Sequence, residues 1–214
     1  MGFDKTTNIS NLYITSSLYS AQSFVCPRGV YCMMPYYRST ENTLIHKIQI
    51  SGLSASYLDS TIIPGSVINQ YSMDEDANGN FRIVTRNWET EETTNLYILD
   101  KNLRLVGKLE GIAPKENFQS SRFIGDKLYL VTFQQLDPLF VIDLADATNP
   151  KVLGELKIPG YSMYLHPYDA THLIGIGYDT QDSGHGGVMN GGLKIDLYDI
   201  SDIKNPKQQY SLTL

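Results

Sequence analysis

The residues best equipped for chemistry fall into a few local groups. In DEDANGN, Asp74, Asp76 and Asn78 occupy positions 1, 3 and 5 of a calcium-loop pattern, with Gly79 at position 6. Position 12 is Thr85, where such a loop needs a bidentate Glu. The stretch therefore reads better as an Asn78-Gly79 hairpin of type I′ with solvated carboxylates, and calcium is the one cofactor it leaves room for. His166, His172 and His185, with Asp169 and Asp179, are the ingredients of a transition-metal site, but their spacing argues against one. His166 and His172 straddle a turn. His185 sits in TQDSGHGGVMNGG, read as a long insertion between strands and lacking a strand-to-helix phosphate motif. No G-x-S-x-G elbow and no Cys-His pair at a family spacing supplies a nucleophile with its base.

Two further pairs of carboxylates, Asp143 with Asp146 and Asp199 with Asp202, look catalytic until their contexts are compared. IDLADATNP and YDISDIKNP repeat Asp, a second Asp three residues on, and Asn-Pro at identical spacing. Recurrence of this kind marks turn-capping residues, because Asp side chains bond backbone N–H groups two residues ahead.

The elements that would position these residues follow from the repeat. FRIVT, KLYLVTF and HLIGIGY read as equivalent strands, with Val84, Val131 and Ile176 spaced 47 and 45 residues apart. Asp100, Asp143 and Asp199 end the next strand of each unit, and Pro-containing segments mark the exits at Pro64-Gly65, Pro114 and Pro159-Gly160. Four short strands per roughly 45 residues is the blade of a β-propeller, whose sheets pack face to face around an axis. The fold class is all-β, about four antiparallel blades, with units at approximately 1–67, 68–114, 115–160 and 161–214. Strands are expected at Phe81–Thr85, Leu96–Leu99, Leu128–Phe133, Phe140–Asp143 and Leu173–Gly177, with no helix beyond two turns. No Gly-His…Trp-Asp pair or kelch Gly-Gly doublet falls in register.

The first unit shows no innermost strand, carries the insertion FVCPRGVYCMMPYYRST, and the last unit stops inside its repeat. This predicts a piece, such as half, of a larger propeller, with open sheet faces and a homodimer closing the ring. Within that insertion Cys26 and Cys32 stand in C-x5-C spacing, which fits neither zinc nor redox motifs; a local disulfide and two buried thiols both remain open.

Propeller axes are lined by innermost strands, and aligning the units there brings Ser72, Arg122 and His166 to one position class. These three are the candidate ligand-binding residues, polar and unlike one another, against a plain reading as hydrated channel lining. Trp88, in an acidic loop, is a second contact candidate.

Charge narrows the partners. Seventeen Lys+Arg against 23 Asp+Glu give a net charge of −6, which excludes a phosphate-backbone binder. No apolar run is long enough for a membrane span, and MGFDKTTNIS lacks a signal-peptide profile. The chain reads either as cytoplasmic or as the mature part of an exported protein.

NQYSMDE, the long stretch from FQSSRFIGDKLYLVTF to YDATHLIGIG, and GLKIDLYDISDIKNP together resemble a family of secreted bacterial and archaeal β-propeller domains of unknown function, across roughly Asn69 to Pro206. The resemblance implies a propeller outside the cytoplasm or on the cell surface, carried on longer chains, and supplies no catalytic residues. The expected function is a non-catalytic binding or scaffolding module for a protein or carbohydrate. The alternative is an extracellular hydrolase or lyase, which would gather Asp, His and Arg side chains at the axis.

Overall fold

The central strands of blades 2 and 3 carry buried residues at consecutive positions, so both faces of these sheets are covered, each by the neighbouring blade. A computed structural model describes residues 2–3, 9–23, 37–88, 91–134, 137–182 and 188–214. Blade 1 comprises β1 (Gly2–Phe3), β2 (Ile9–Ser23), β3 (Tyr37–Ser51) and β4 (Ser54–Pro64). Blade 2 comprises β5 (Met73–Glu75), β6 (Phe81–Trp88), β7 (Glu92–Leu99) and β8 (Leu105–Ile112). Blade 3 follows with β9 (Asn117–Ile124), β10 (Lys127–Phe133), β11 (Asp137–Asp143) and β12 (Lys151–Ile158). Blade 4 consists of β13 (Tyr161–Pro167), β14 (His172–Asp182), β15 (Val188–Asp199) and β16 (Lys207–Thr213). Each is a four-stranded antiparallel sheet in sequence order. All five expected strands lie inside β6, β7, β10, β11 and β14, and the one helical element described is a single 3-10 turn, Gln70–Ser72.

The cores are the seams between blades. Val84, Leu96 and Ile98 of blade 2 meet Leu128, Leu130 and Ile142 of blade 3. Val131, Leu139 and Val141 of blade 3 meet Leu165, Leu173 and Ile200 of blade 4. Ile45 and Ile63 of blade 1 meet Phe81, Ile83 and Leu99 of blade 2. β-Branched and leucine side chains two residues apart thus supply each contact face.

The repeated turn has a mechanical role. Asp146 accepts from Thr148 N at 3.0 Å and Asp202 from Lys204 N at 3.1 Å, while Asn149 N and Asn205 N close each turn on the Asp carbonyl at 3.0 Å. Each turn docks across the outer strand of the preceding blade, at a glycine. A Cβ on Gly107 would lie 1.9 Å from the Ala147 carbonyl oxygen, and one on Gly154 would lie 2.7 Å from the Ile203 and Lys204 carbonyl oxygens. Gly107 pairs with Ile98 and Gly154 with Val141, the same register position; in β16 that position, opposite Leu197, is Tyr210, which is 64% exposed. The turn is written twice because two preceding blades carry the glycine slot that receives it.

Four sequence expectations change. Blade 1 has an innermost strand: Gly2 and Phe3 pair with Asn11 and Ser10, a strand too short to show alternation. The Asn78-Gly79 turn is not type I′, since only Gly79 takes positive φ (81°). Asp76 N bonds Asn80 O, and the Asp76 carboxylate bonds the N–H groups of Asn78 and Asn80, so an Asx turn sets a longer loop. Asp100 repeats this arrangement with Asn102 and Arg104. The glycine-rich insertion is partly strand, since Thr180–Asp182 pair with Asn190–Val188. The described end of the blade 1 insertion, Tyr37 to Thr40, likewise extends a long hairpin, with Ser23 paired to Tyr37. Cys26, Cys32 and His185 lie outside the described residues.

Candidate functional site

The innermost strands β9 and β13 lie side by side, and the 3-10 turn before β5 packs against β9. Asn69 caps that turn by accepting from Tyr71 N at 2.9 Å, which fixes where Tyr71 projects. The Arg122 guanidinium carbon lies 4.9 Å from the Tyr71 ring centroid. The Tyr71 ring meets Tyr164 edge-on at 5.3 Å and 60°. Tyr164 and His166, two apart on β13, are joined by a 3.2 Å hydrogen bond between the Tyr164 hydroxyl and His166 Nδ1. Three blades thus contribute to one aromatic and cationic platform, with Tyr71 and His166 exposed and Arg122 and Tyr164 half-buried.

β9 and β13 each carry a bulge beside the platform, with Gln119 and Met163 left unpaired, and such bulges re-aim neighbouring side chains. Register separates the three axial candidates. Arg122 pairs with Tyr129 and His166 with Ile174, equivalent positions, and the corresponding residue of β5 is Asp74, opposite Arg82. Ser72 lies two residues earlier, fully buried, where its hydroxyl accepts from Ser121 Oγ at 3.2 Å. The structure therefore joins Arg122 and His166 through two tyrosines and places Ser72 behind them. Tyr71 and Tyr164 are the residues the sequence reading lacks. Tyr164 was signalled by sharing a strand face with His166, whereas nothing in the alternation points to Tyr71.

Asp74, Asp76 and Asn78 border a cavity of about 390 Å³ between blades 2 and 3. Asp74 ion-pairs with buried Arg82, which also donates to Gly125 O at 2.8 Å and lies 5.0 Å from the Phe123 ring. Asp76 spends both oxygens inside its own loop, the second on Asn80 Nδ2 at 2.9 Å. These groups hold a turn and hook one blade to the next, and among the described residues no three His, Cys, Asp or Glu side chains gather as a metal site. His172 Nδ1 sits 2.9 Å from Asp169 in the turn before β14. The Asp169 carboxyl is held below its ordinary range first by the Thr171 N–H and then by His172. Trp88 is exposed at the end of β6.

The paired carboxylates are turn caps. Asp143 accepts from Ala145 N at 3.3 Å and from Lys127 Nζ at 3.1 Å, and Asp199 from Ser201 N at 2.9 Å. Backbone and side-chain donors hold Asp146 and Asp202 below the usual carboxylate range, the Thr148 hydroxyl leading in the first and the Asn205 amide in the second. No helix among the described residues is long and apolar enough to cross a membrane.

Four antiparallel blades stacked seam to seam, with polar and aromatic side chains from the innermost strands meeting at the axis, define a β-propeller. The beta propeller domain family matches residues 6–214, and the chain belongs to it. It is 44% identical over 177 residues to the uncharacterized protein MJ1554 of Methanocaldococcus jannaschii, covering 81% of this chain and 26% of that one. An uncharacterized protein of Archaeoglobus fulgidus is 40% identical over 173 residues, 80% of this chain and 25% of its own length. The chain spans about a quarter of the length of these curated relatives. A solved structure described as the eukaryotic initiation factor overlaps 97% of this chain and 55% of its own, at TM-score 0.41 and 11% identity, a likeness too loose to bear on function.

Proposed function

We propose that this propeller is a non-catalytic binding module of an extracytoplasmic protein and that it contacts its ligand on the axial platform. The observation that carries this reading is the convergence of Tyr71, Arg122, Tyr164 and His166 from three successive blades. Aromatic rings beside unlike polar groups suit recognition, and Asp74, the carboxylate at the equivalent axial position, is already committed to Arg82. The extracytoplasmic setting rests on the resemblance to secreted propeller domains and is tested by locating the native protein in fractionated cells. A glycan array probed with the chain and with a Tyr71→Ala/Tyr164→Ala variant of equal melting temperature tests the site. The variant should lose the signal; retention of full signal would put the contact elsewhere.

We also propose that a second copy covers the outward face of blade 4. Ile176, Ile195 and Leu212 stand in one cross-strand row there, and Ile174, Leu197 and Tyr210 in the next. Such an apolar sheet face is what the buried seams use. Light scattering at micromolar protein should give a dimer, and a persistent 24.0 kDa species would exclude it.

A further inference from the structure

Arg122 differs from Arg82 and Arg86 of the neighbouring blade. Arg82 is paired with Asp74 and Arg86 approaches Glu92, yet no carboxylate lies in ion-pair range of Arg122 among the described residues, and it donates no hydrogen bond to any of them. A half-buried guanidinium, held against the Tyr71 ring, keeps its planar fork of N–H donors unspent in a chain whose net charge is −6. That fork matches a carboxylate in two parallel hydrogen bonds. The surrounding negative charge disfavours a polyanion such as an acidic peptide, so the ligand carries its one charge on an otherwise neutral body. The body must present an apolar face to two tyrosine rings and hydroxyls to the Tyr71 hydroxyl and the His166 ring. A pyranose does both.

We propose that the platform binds a uronic-acid-bearing saccharide, with Arg122 taking the carboxylate, the sugar ring lying against Tyr71 and Tyr164, and His166 bonding a ring hydroxyl. This rests on the platform being the contact surface. Calorimetric titration of the full chain with methyl glucuronide, methyl glucoside, benzoate and inorganic phosphate tests it. The glucuronide should bind about tenfold or more tighter than the glucoside, as expected for one charge-assisted pair. Arg122→Gln, at a half-buried position, should keep the melting temperature and lower the glucuronide affinity about tenfold more than the glucoside affinity, erasing that preference; Arg122→Lys should restore only part of it, lacking the fork. Equal affinity for glucuronide and glucoside, or a preference that survives Arg122→Gln, overturns the assignment of the carboxylate. Benzoate or phosphate binding as tightly as the glucuronide overturns the saccharide class. Failure of all four probes overturns this ligand class, while the platform itself is judged separately by the tyrosine double variant on the array.

Discussion

Val131 in blade 3 and Ile176 in blade 4 occupy the same place in the repeat, each opposite its partner strand at equivalent register, Val131 with Leu139 and Ile176 with Ile195. Val131 is 0% exposed and Ile176 is 36% exposed. Both are β-branched aliphatic residues; their neighbours differ. Blade 4 closes over Val131, and nothing among the described residues closes over Ile176. The outer strands differ in step, with Gly154 receiving the next blade's turn and Tyr210 standing at the same register in β16. An apolar pattern in a repeat therefore records which faces are suited to burial, and the small residue at the docking point records where a turn is received.

The largest expected effect lies in the buried half of that comparison. Val131→Asp puts an unpaired carboxylate in an apolar seam and should cost about 4 kcal/mol or more, enough to unfold blades 3 and 4 in modest urea. Next comes the polar part of the same seam, where Lys194 and Asp196 pair at 3.1 Å with both side chains under a tenth exposed. The Tyr198 hydroxyl and Gln208 also donate to Asp196, at 3.0 and 2.7 Å. Asp196→Ala strands the buried ammonium and should cost about 3 kcal/mol by urea denaturation, with Lys194→Met/Asp196→Leu recovering most of it. A single variant within 0.5 kcal/mol of the parent would mean the pair is not buried in solution.

Smaller effects follow at the docking slots. Gly107→Ala and Gly154→Ala force a turn carbonyl to move and should each cost about 1–3 kcal/mol, whereas Tyr210→Ala, in the dissociated chain at sub-micromolar protein, should cost under about 0.5 kcal/mol. Equal costs at all three would show that no turn docks in the slots. The turn carboxylates contribute through pH. Asp100, Asp146 and Asp202 titrate below their ordinary values because N–H and hydroxyl donors favour the ionised form. A lowered folded value means the contribution is present above the unfolded value near 4 and is lost as pH falls through the folded one. The urea midpoint should therefore drop between pH 5 and pH 3, and Asp202→Asn should flatten that drop; a slope unchanged by the substitution would remove Asp202 from the account.

Much of this architecture was legible because a repeat tests itself. The strands around Val84, Val131 and Ile176 each show weak alternation, but three copies at one period leave little freedom in register. What escaped has local causes. Gly2–Phe3 is too short to alternate, and the three-residue β5 is too short to set register, so the repeat pattern alone puts Ser72 where Asp74 belongs. The loop at Asn78-Gly79 is set by a side chain two residues upstream, which dipeptide rules do not see. At the axis, Arg122 and His166 were visible as unlike residues at one repeat position. Tyr71 was not, because an Asn69 cap and a 3-10 turn place it.

The stacking of blades, on which the seams, the docked turns and the axial platform all depend, is tested most directly by melting Val131→Asp and Ile176→Asp side by side at sub-micromolar protein. The account predicts that Val131→Asp lowers the melting temperature by more than 10 °C, while Ile176→Asp, in the dissociated chain, stays within about 2 °C of the parent. Equal losses at the two sites would contradict it, since the repeat would then bury both faces or neither.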